Sequence, residues 1–147
     1  MIILLDGGPL GLVSNPKATE AGRECREWMS TMIASGVRIC LPEIIDYELR
    51  RELLRANKAQ GLARLDLLKS SIHYLPITTP IMLKAAELWA DVRRRGMPTA
   101  DSKALDGDVI LAAQALVVNG IVATENVDHL ARLVDAKHWR DITPFQG

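Results

Sequence analysis

A chain of 147 residues has room for one compact domain with a real core. Hydrophobic residues make up 48% of it, with one Phe and two Tyr, so that core must be built from Leu, Ile, Val, Ala, Met and three Trp. Lys plus Arg is 18 and Asp plus Glu is 18, a net charge of zero that excludes a uniformly basic nucleic-acid binder but not a local basic patch.

In chain order, Ile2 to Leu5 is a short apolar run that Asp6-Gly7-Gly8-Pro9 stops at once, which predicts a buried strand. Cys25, Trp28, Met29, Met32 and Ile33 recur at helical spacing up to Gly36. Val37 to Leu41 is the second predicted strand. Pro42 opens a helix to about Ala56, and another follows to about Ser70. Ile72 to Leu75 is a third predicted strand. Met82, Ala85, Ala86 and Trp89 mark the apolar face of a helix that stops near Gly96. After a polar loop, an apolar helix is expected from about Asp106 to Val118, ended by Asn119-Gly120. Ile121 to Ala123 is the fourth strand and a short helix follows Asn126. The tail from Trp139 to Ile142 is expected to add an edge strand.

Strands alternating with helices predict a parallel sheet covered on both faces, an α/β fold in a single domain spanning residues 1–147. The helices between the second and third strands predict a hairpin standing off the sheet. Cys25 and Cys40 show no CxxC spacing, so they read as buried thiols rather than a disulfide scaffold or zinc site. No stretch is apolar enough to span a membrane, and a cytoplasmic location is expected.

Ligands of open parallel sheets bind beyond the carboxyl ends of the strands, so acids there come first. Asp6 directly follows the first strand, although Asp-Gly is also common turn chemistry. Glu48 borders the apolar stripe of Ile44, Ile45, Leu49 and Leu53, where an unpaired charge is costly; a surface pair with Arg51 is the plainer reading. Asp108 opens the run Val109-Ile110-Leu111-Ala112-Ala113 and is equally a helix cap, a role for which Asp106 competes. Asn126 is most simply a cap, and it or Asp128 is a candidate to orient a metal-bound water. Acids gathered from separated segments suit a hard cation such as Mg²⁺, which activates water and neutralises charge on a scissile phosphate. Their carboxyl groups are expected to converge within about one cation's reach, given oxygen–metal distances near ~2.1 Å.

These motifs together resemble the PIN-domain family, especially its VapC-type toxin ribonucleases. Leu4-Leu5-Asp6 with Gly8-Pro9-Leu10 looks like the family's first motif. Pro42-Glu43-Ile44 through Tyr47-Glu48-Leu49-Arg50-Arg51 looks like the second, Gly107-Asp108-Val109-Ile110-Leu111-Ala112-Ala113 the third, and Ala123-Thr124-Glu125-Asn126-Val127 the fourth. They come in family order across nearly the whole chain. The resemblance implies a three-layer α/β/α sandwich, Mg²⁺ or Mn²⁺ dependence, and cleavage of single-stranded RNA. It makes Asp6, Glu48, Asp108 and Asn126 the catalytic positions, with Asp6 and Asp108 on the metal. It also implies a homodimer and, in many members, inhibition by a small antitoxin protein. Two positions depart from the pattern. Gly7 stands where the family usually has Thr or Ser, and Asn126 replaces a clear acid; Asp101 and Asp106 are extra acids nearby.

Arg50, Arg51, Arg55, Lys58 and Arg64, with Arg93-Arg94-Arg95, read either as solvated faces or as an RNA backbone track beside the acids. His73, His129 and His138 lack metal-ligand spacing and read as structural or exposed, and Trp28 and Trp89 read as packing residues. The competing functions are a PIN-like binding module that has lost activity and a phospho-acceptor receiver domain. The latter needs an acidic pair before the end of the first strand and a Lys after a late strand, and neither is evident.

Overall fold

The structure is a computed structural model that describes residues 1–96 and 102–144. The elements run β1 (Ile2–Leu5), α1 (Gly7–Ser14), α2 (Glu20–Ala34), β2 (Arg38–Pro42), α3 (Glu43–Arg55), α4 (Ala59–Ser71), β3 (His73–Leu75), α5 (Thr79–Arg94), α6 (Ser102–Val118), β4 (Ile121–Thr124), α7 (Val127–Ala131) and β5 (Ala136–His138). A 3-10 turn, Trp139–Asp141, follows β5.

The strands form one five-stranded sheet in the order β3-β2-β1-β4-β5, and every pairing is parallel. Ile3, Leu4 and Leu5 are fully buried, as consecutive residues can be only when helices cover both faces of their strand. One layer packs α1 and α2 together with α3 and α4; on the other side α5 lies along α6. This is the expected three-layer α/β/α sandwich. α3 and α4 form the expected hairpin between β2 and β3.

The α5–α6 pair has its own apolar cluster of Ile81, Ala85, Val92, Leu105, Val109 and Ala113. The buried face of α5 is thus rotated from the predicted one: Ile81, Ala85 and Val92 point inward, while Met82 and Trp89 are exposed. The Arg93 guanidinium lies over the Trp89 ring, 5.2 Å from its centroid.

Three further differences have local causes. A helix, α1, begins right after β1, where the sequence suggested only a turn. Asp6 takes an extended N-cap conformation, and Pro9 falls in the first turn, where helical N–H groups lack partners anyway. α6 starts at Ser102 rather than near Asp106, because Leu105 is buried against α5 and carries the helix backwards. The loop expected after Gly96 falls partly on residues 97–101, outside the described residues. Last, the edge strand lies at Ala136–His138, earlier than expected. Trp139 and Ile142 are both buried at a spacing of three, which is that of a helical turn. Trp139 packs on Trp28, with centroids 5.8 Å apart.

Gln114, fully buried in α6, ties the layers together. Its Nε2 donates to the Leu75 carbonyl (2.7 Å), and its Oε1 accepts from the Ile44 N–H (3.5 Å) at the start of α3. Glu43 fixes the other flank of that helix, accepting from Tyr74 Oη (2.9 Å) and the Ile77 N–H (2.8 Å). Cys25 and Cys40 are buried free thiols, and burial pushes the Cys25 thiol up to about 12. Among the described residues, no helix is long and apolar enough to cross a membrane.

Candidate active site

The chain leaves β1 toward β2 and β3, then returns to place β4 on the opposite flank of β1. Such a reversal opens a crevice beyond the carboxyl ends of the two central strands, because the connections leave in opposite directions. Asp6 and Thr124 stand at that place, at the ends of β1 and β4.

The two residues are joined. The Asp6 N–H donates to the Ala123 carbonyl (2.9 Å), extending the β1–β4 ladder by one bond. The fully buried Thr124 hydroxyl donates to Asp6 Oδ2 at 2.7 Å and accepts from the Asn126 N–H at 2.9 Å. A hydroxyl has one proton, so accepting from Asn126 leaves that proton free to be committed to Asp6. The Asp6 side chain makes no capping hydrogen bond to α1. Its carboxylate is held from β4 instead. Gly7 provides no hydroxyl next to Asp6, but Thr124 supplies one from across the sheet.

Glu48 comes from α3 and Asp108 from α6. Asp108 lies well inside its helix, so it is not an N-terminal cap. Both side chains are partly buried. Burial pushes the Glu48 carboxyl above the ordinary carboxylate range; the Arg51 charge opposes this, and the charges of Asp6 and Asp108 add to it. Burial likewise raises Asp108, and Asp6 adds to the effect, while His129 and Arg132 oppose it. The charges of Asp6 and Asp108 thus reach Glu48, and that of Asp6 reaches Asp108, which brings the three carboxylates into one another's field. His129, given no role from its spacing, stands close enough to act on Asp108.

Asn126 is placed differently. It precedes α7 as its N-cap, is exposed, and makes no side-chain capping bond; its backbone alone is tied to Thr124. Its neighbour Glu125 accepts from Trp139 Nε1 (3.1 Å) and exerts its charge on Cys25 and Arg140, away from the acid cluster. Asp106 and Asp128 are exposed, and Asp101 lies outside the described residues.

The basic residues divide. Arg50 clasps Asp46 (3.0 Å) and Asp66 (2.8 Å), bracing α3 against α4. Arg55 pairs with Glu52, and Arg95 with Asp91. Arg51 is exposed beside Glu48, with its guanidinium carbon 5.0 Å over the Tyr47 ring. A groove of about 790 Å³ opens between α1, α3 and α4, lined in part by Gly8, Leu12, Leu49, Leu53 and Lys58.

Among the described residues, no three Asp, Glu, His or Cys side chains are drawn together tightly enough to cage an ion unaided. Mg²⁺ does not ask for such a cage. It takes one or two carboxylates and fills its remaining positions with waters and substrate phosphates. The donors here are hard oxygens, and Glu48 and Asp108 are partly buried with charges that repel. A divalent cation relieves that repulsion, so the residues present fit the group.

Fold and site together define a class: a doubly wound α/β protein with a carboxylate cluster at its topological switch point. Comparison with known families narrows it. The PIN domain model matches residues 15–135, and the chain belongs to the PIN domain family. The match includes Glu48, Asp108, Thr124 and Asn126; Asp6 precedes it and is joined to it by the Thr124 hydroxyl. The chain is also similar to a chain of VapBC2 from Rickettsia felis, solved bound to a promoter DNA fragment. Identity is 19% and the TM-score 0.75, over 95% of this chain and 99% of that one. For VapBC-1 of nontypeable Haemophilus influenzae the values are 20% and 0.72, over 96% and 100%. For DNA-bound VapBC of Salmonella typhimurium they are 21% and 0.68, over 95% and 98%. At these identities the likeness is one of fold. No curated protein sequence matches the chain.

Proposed function

We propose that this PIN domain is a divalent-metal-dependent endoribonuclease, the toxin of a toxin–antitoxin pair, acting in the cytoplasm. The observation that carries the reading is the half-buried cluster of Asp6, Glu48 and Asp108 at the switch point, with Asp6 held from β4 by Thr124. Asp6 and Asp108 would hold Mg²⁺ or Mn²⁺, which supplies Lewis acidity toward a phosphate oxygen and eases deprotonation of water. Glu48 completes the negative charge of the site. Glu48 would take the proton of the attacking water. Arg51, exposed, would receive an RNA phosphate. Asn126, exposed at the start of α7, is assigned to orienting water or substrate.

The antitoxin partner is supported by the neighbours of the same fold, which were solved as VapBC complexes. A homodimer is supported by exposed apolar side chains on α5 and α6, including Met82, Leu83, Trp89, Leu116 and Val117. A two-fold contact would bury them. Light scattering at micromolar concentration should give the dimer, and a monomer there removes this part of the reading.

The test of the chemistry is cleavage of structured and unstructured RNA in Mg²⁺, Mn²⁺ and EDTA. Wild type should cleave only with metal. Asp6→Asn and Asp108→Asn should each abolish cleavage; Asp108→Asn should keep or raise the melting temperature of the metal-free protein, because it removes one repelling charge without opening a cavity, whereas in Asp6→Asn that relief is offset by exchanging the charge-assisted Thr124 bond for a neutral one. Near wild-type cleavage by either variant removes that residue from the site. Failure of wild type to cleave RNA with any divalent metal would leave a nucleic-acid-binding module.

A further inference from the structure

Glu48 reaches the acid edge from α3, but its carboxylate rests on α6. A Cβ added at Gly107 would lie 3.1 Å from Glu48 Oε2, 3.2 Å from Oε1 and 3.4 Å from Cδ. These are its three nearest neighbours beyond the helix's own backbone, so the carboxylate occupies the space a side chain at 107 would take. Gly107 stands inside α6, directly before Asp108, where glycine is a poor helix former compared with alanine. Its backbone does not call for glycine either: the positive-φ glycines among the described residues are Gly36 and Gly96. By contrast, an added Cβ at Gly7 or Gly11 in α1 would meet nothing within 4 Å.

We propose that Gly107 is a positioning residue for the acid cluster. Its missing side chain lets the Glu48 carboxylate lie against α6, one residue from Asp108. The inference rests on the reading of Asp6, Glu48 and Asp108 as a cation site, and it concerns how this chain sets the third acid in place. Alanine at 107 leaves the helix intact and forces the carboxylate away by a few tenths of an ångström. Valine forces it further. Metal sites tolerate only about 0.2 Å of error in donor placement, and changes to the groups that orient donors typically lower metal affinity about 10- to 100-fold.

The experiment is a double-mutant cycle read by Mn²⁺ affinity in calorimetry and by melting temperature. The variants are Gly107→Ala and Gly107→Val, each made in the wild type and in Glu48→Gln. Gly107→Ala should weaken Mn²⁺ binding while keeping or raising the melting temperature, a combination that mere structural damage does not produce. Gly107→Val should weaken binding by about 10-fold or more. In the Glu48→Gln background neither change should weaken it further. If Glu48→Gln lowers Mn²⁺ affinity but both Gly107 variants bind as wild type does, the role of Gly107 is wrong and the acid centre stands. Equal losses in both backgrounds also overturn it, because Gly107 then acts independently of Glu48. If Glu48→Gln binds Mn²⁺ as tightly as wild type, Glu48 takes no part in holding the cation and this inference fails, whereas loss of Mn²⁺ binding in Asp6→Asn and Asp108→Asn would still uphold the acid centre.

Discussion

Replacing Thr124 by Val exchanges a hydroxyl for a methyl at a fully buried position, with almost no change of shape. Two hydrogen bonds disappear: the 2.7 Å bond given to Asp6 Oδ2 and the 2.9 Å bond accepted from the Asn126 N–H. The first involves a carboxylate and is worth about 1.5–3 kcal/mol; the second, neutral bond is worth about 0.5–1.5 kcal/mol. Asn126 is exposed, so water replaces much of the second. The expected net loss is about 2–3 kcal/mol. For a chain of this size each kcal/mol moves the midpoint by about 2–4 °C, which gives a fall of about 4–12 °C. Thr124→Ser keeps the hydroxyl and should recover most of the loss. Urea titration and calorimetry of the metal-free protein measure both variants. RNA cleavage should fall in Thr124→Val as well, since Asp6 loses the bond that orients it. A Thr124→Val variant within about 0.5 kcal/mol of wild type would refute the reasoning.

Burial raises both Glu48 and Asp108 above their unfolded values, so the folded, metal-free chain is penalised where both are ionised. That penalty is present above the raised native pKa values, is released as pH falls through them, and is gone below the unfolded values. Melting in EDTA should therefore show these two groups adding stability as pH drops from neutral into the upper carboxylate range, and Glu48→Gln with Asp108→Asn should remove that contribution; identical pH profiles would contradict it. Gln114→Leu leaves the Leu75 carbonyl and Ile44 N–H without their buried partner and should cost about 1–3 kcal/mol in urea unfolding. Arg50→Ala strips buried Asp46 of its partner and should destabilise by about 1–3 kcal/mol, whereas Arg55→Ala, exposed and paired with exposed Glu52, should change stability by less than about 0.5 kcal/mol. Arg51→Ala should leave the melting point unchanged and weaken single-stranded RNA binding with a shallower salt dependence.

The first four strands, and the order in which the acids arrive, are legible in the sequence. Ile2 to Leu5 is apolar without alternation because helices cover both its faces, and that continuity is written along the chain. Asp6 ends this run, Glu48 interrupts the apolar stripe of a helix, and Asp108 precedes another. These are local patterns, legible because each depends on neighbours within a few residues.

What the sequence left open depended on distant parts of the chain. Gly7, Gly8 and Pro9 disguise α1 locally, and only packing under α2, α3 and α4 makes that helix form. The inward face of α5 was decided by its contact with α6, which also drew α6 back to Ser102 and took Asp108 out of the capping position. Thr124 bonds to Asp6 across 118 positions of sequence, and Gly107 owes its significance to a glutamate on another helix. Residue type and spacing show which groups are able to bind a cation. Whether a carboxylate is a turn residue or a member of a cluster turns on which side chains stand within about 3 Å of it, and that is set by tertiary packing.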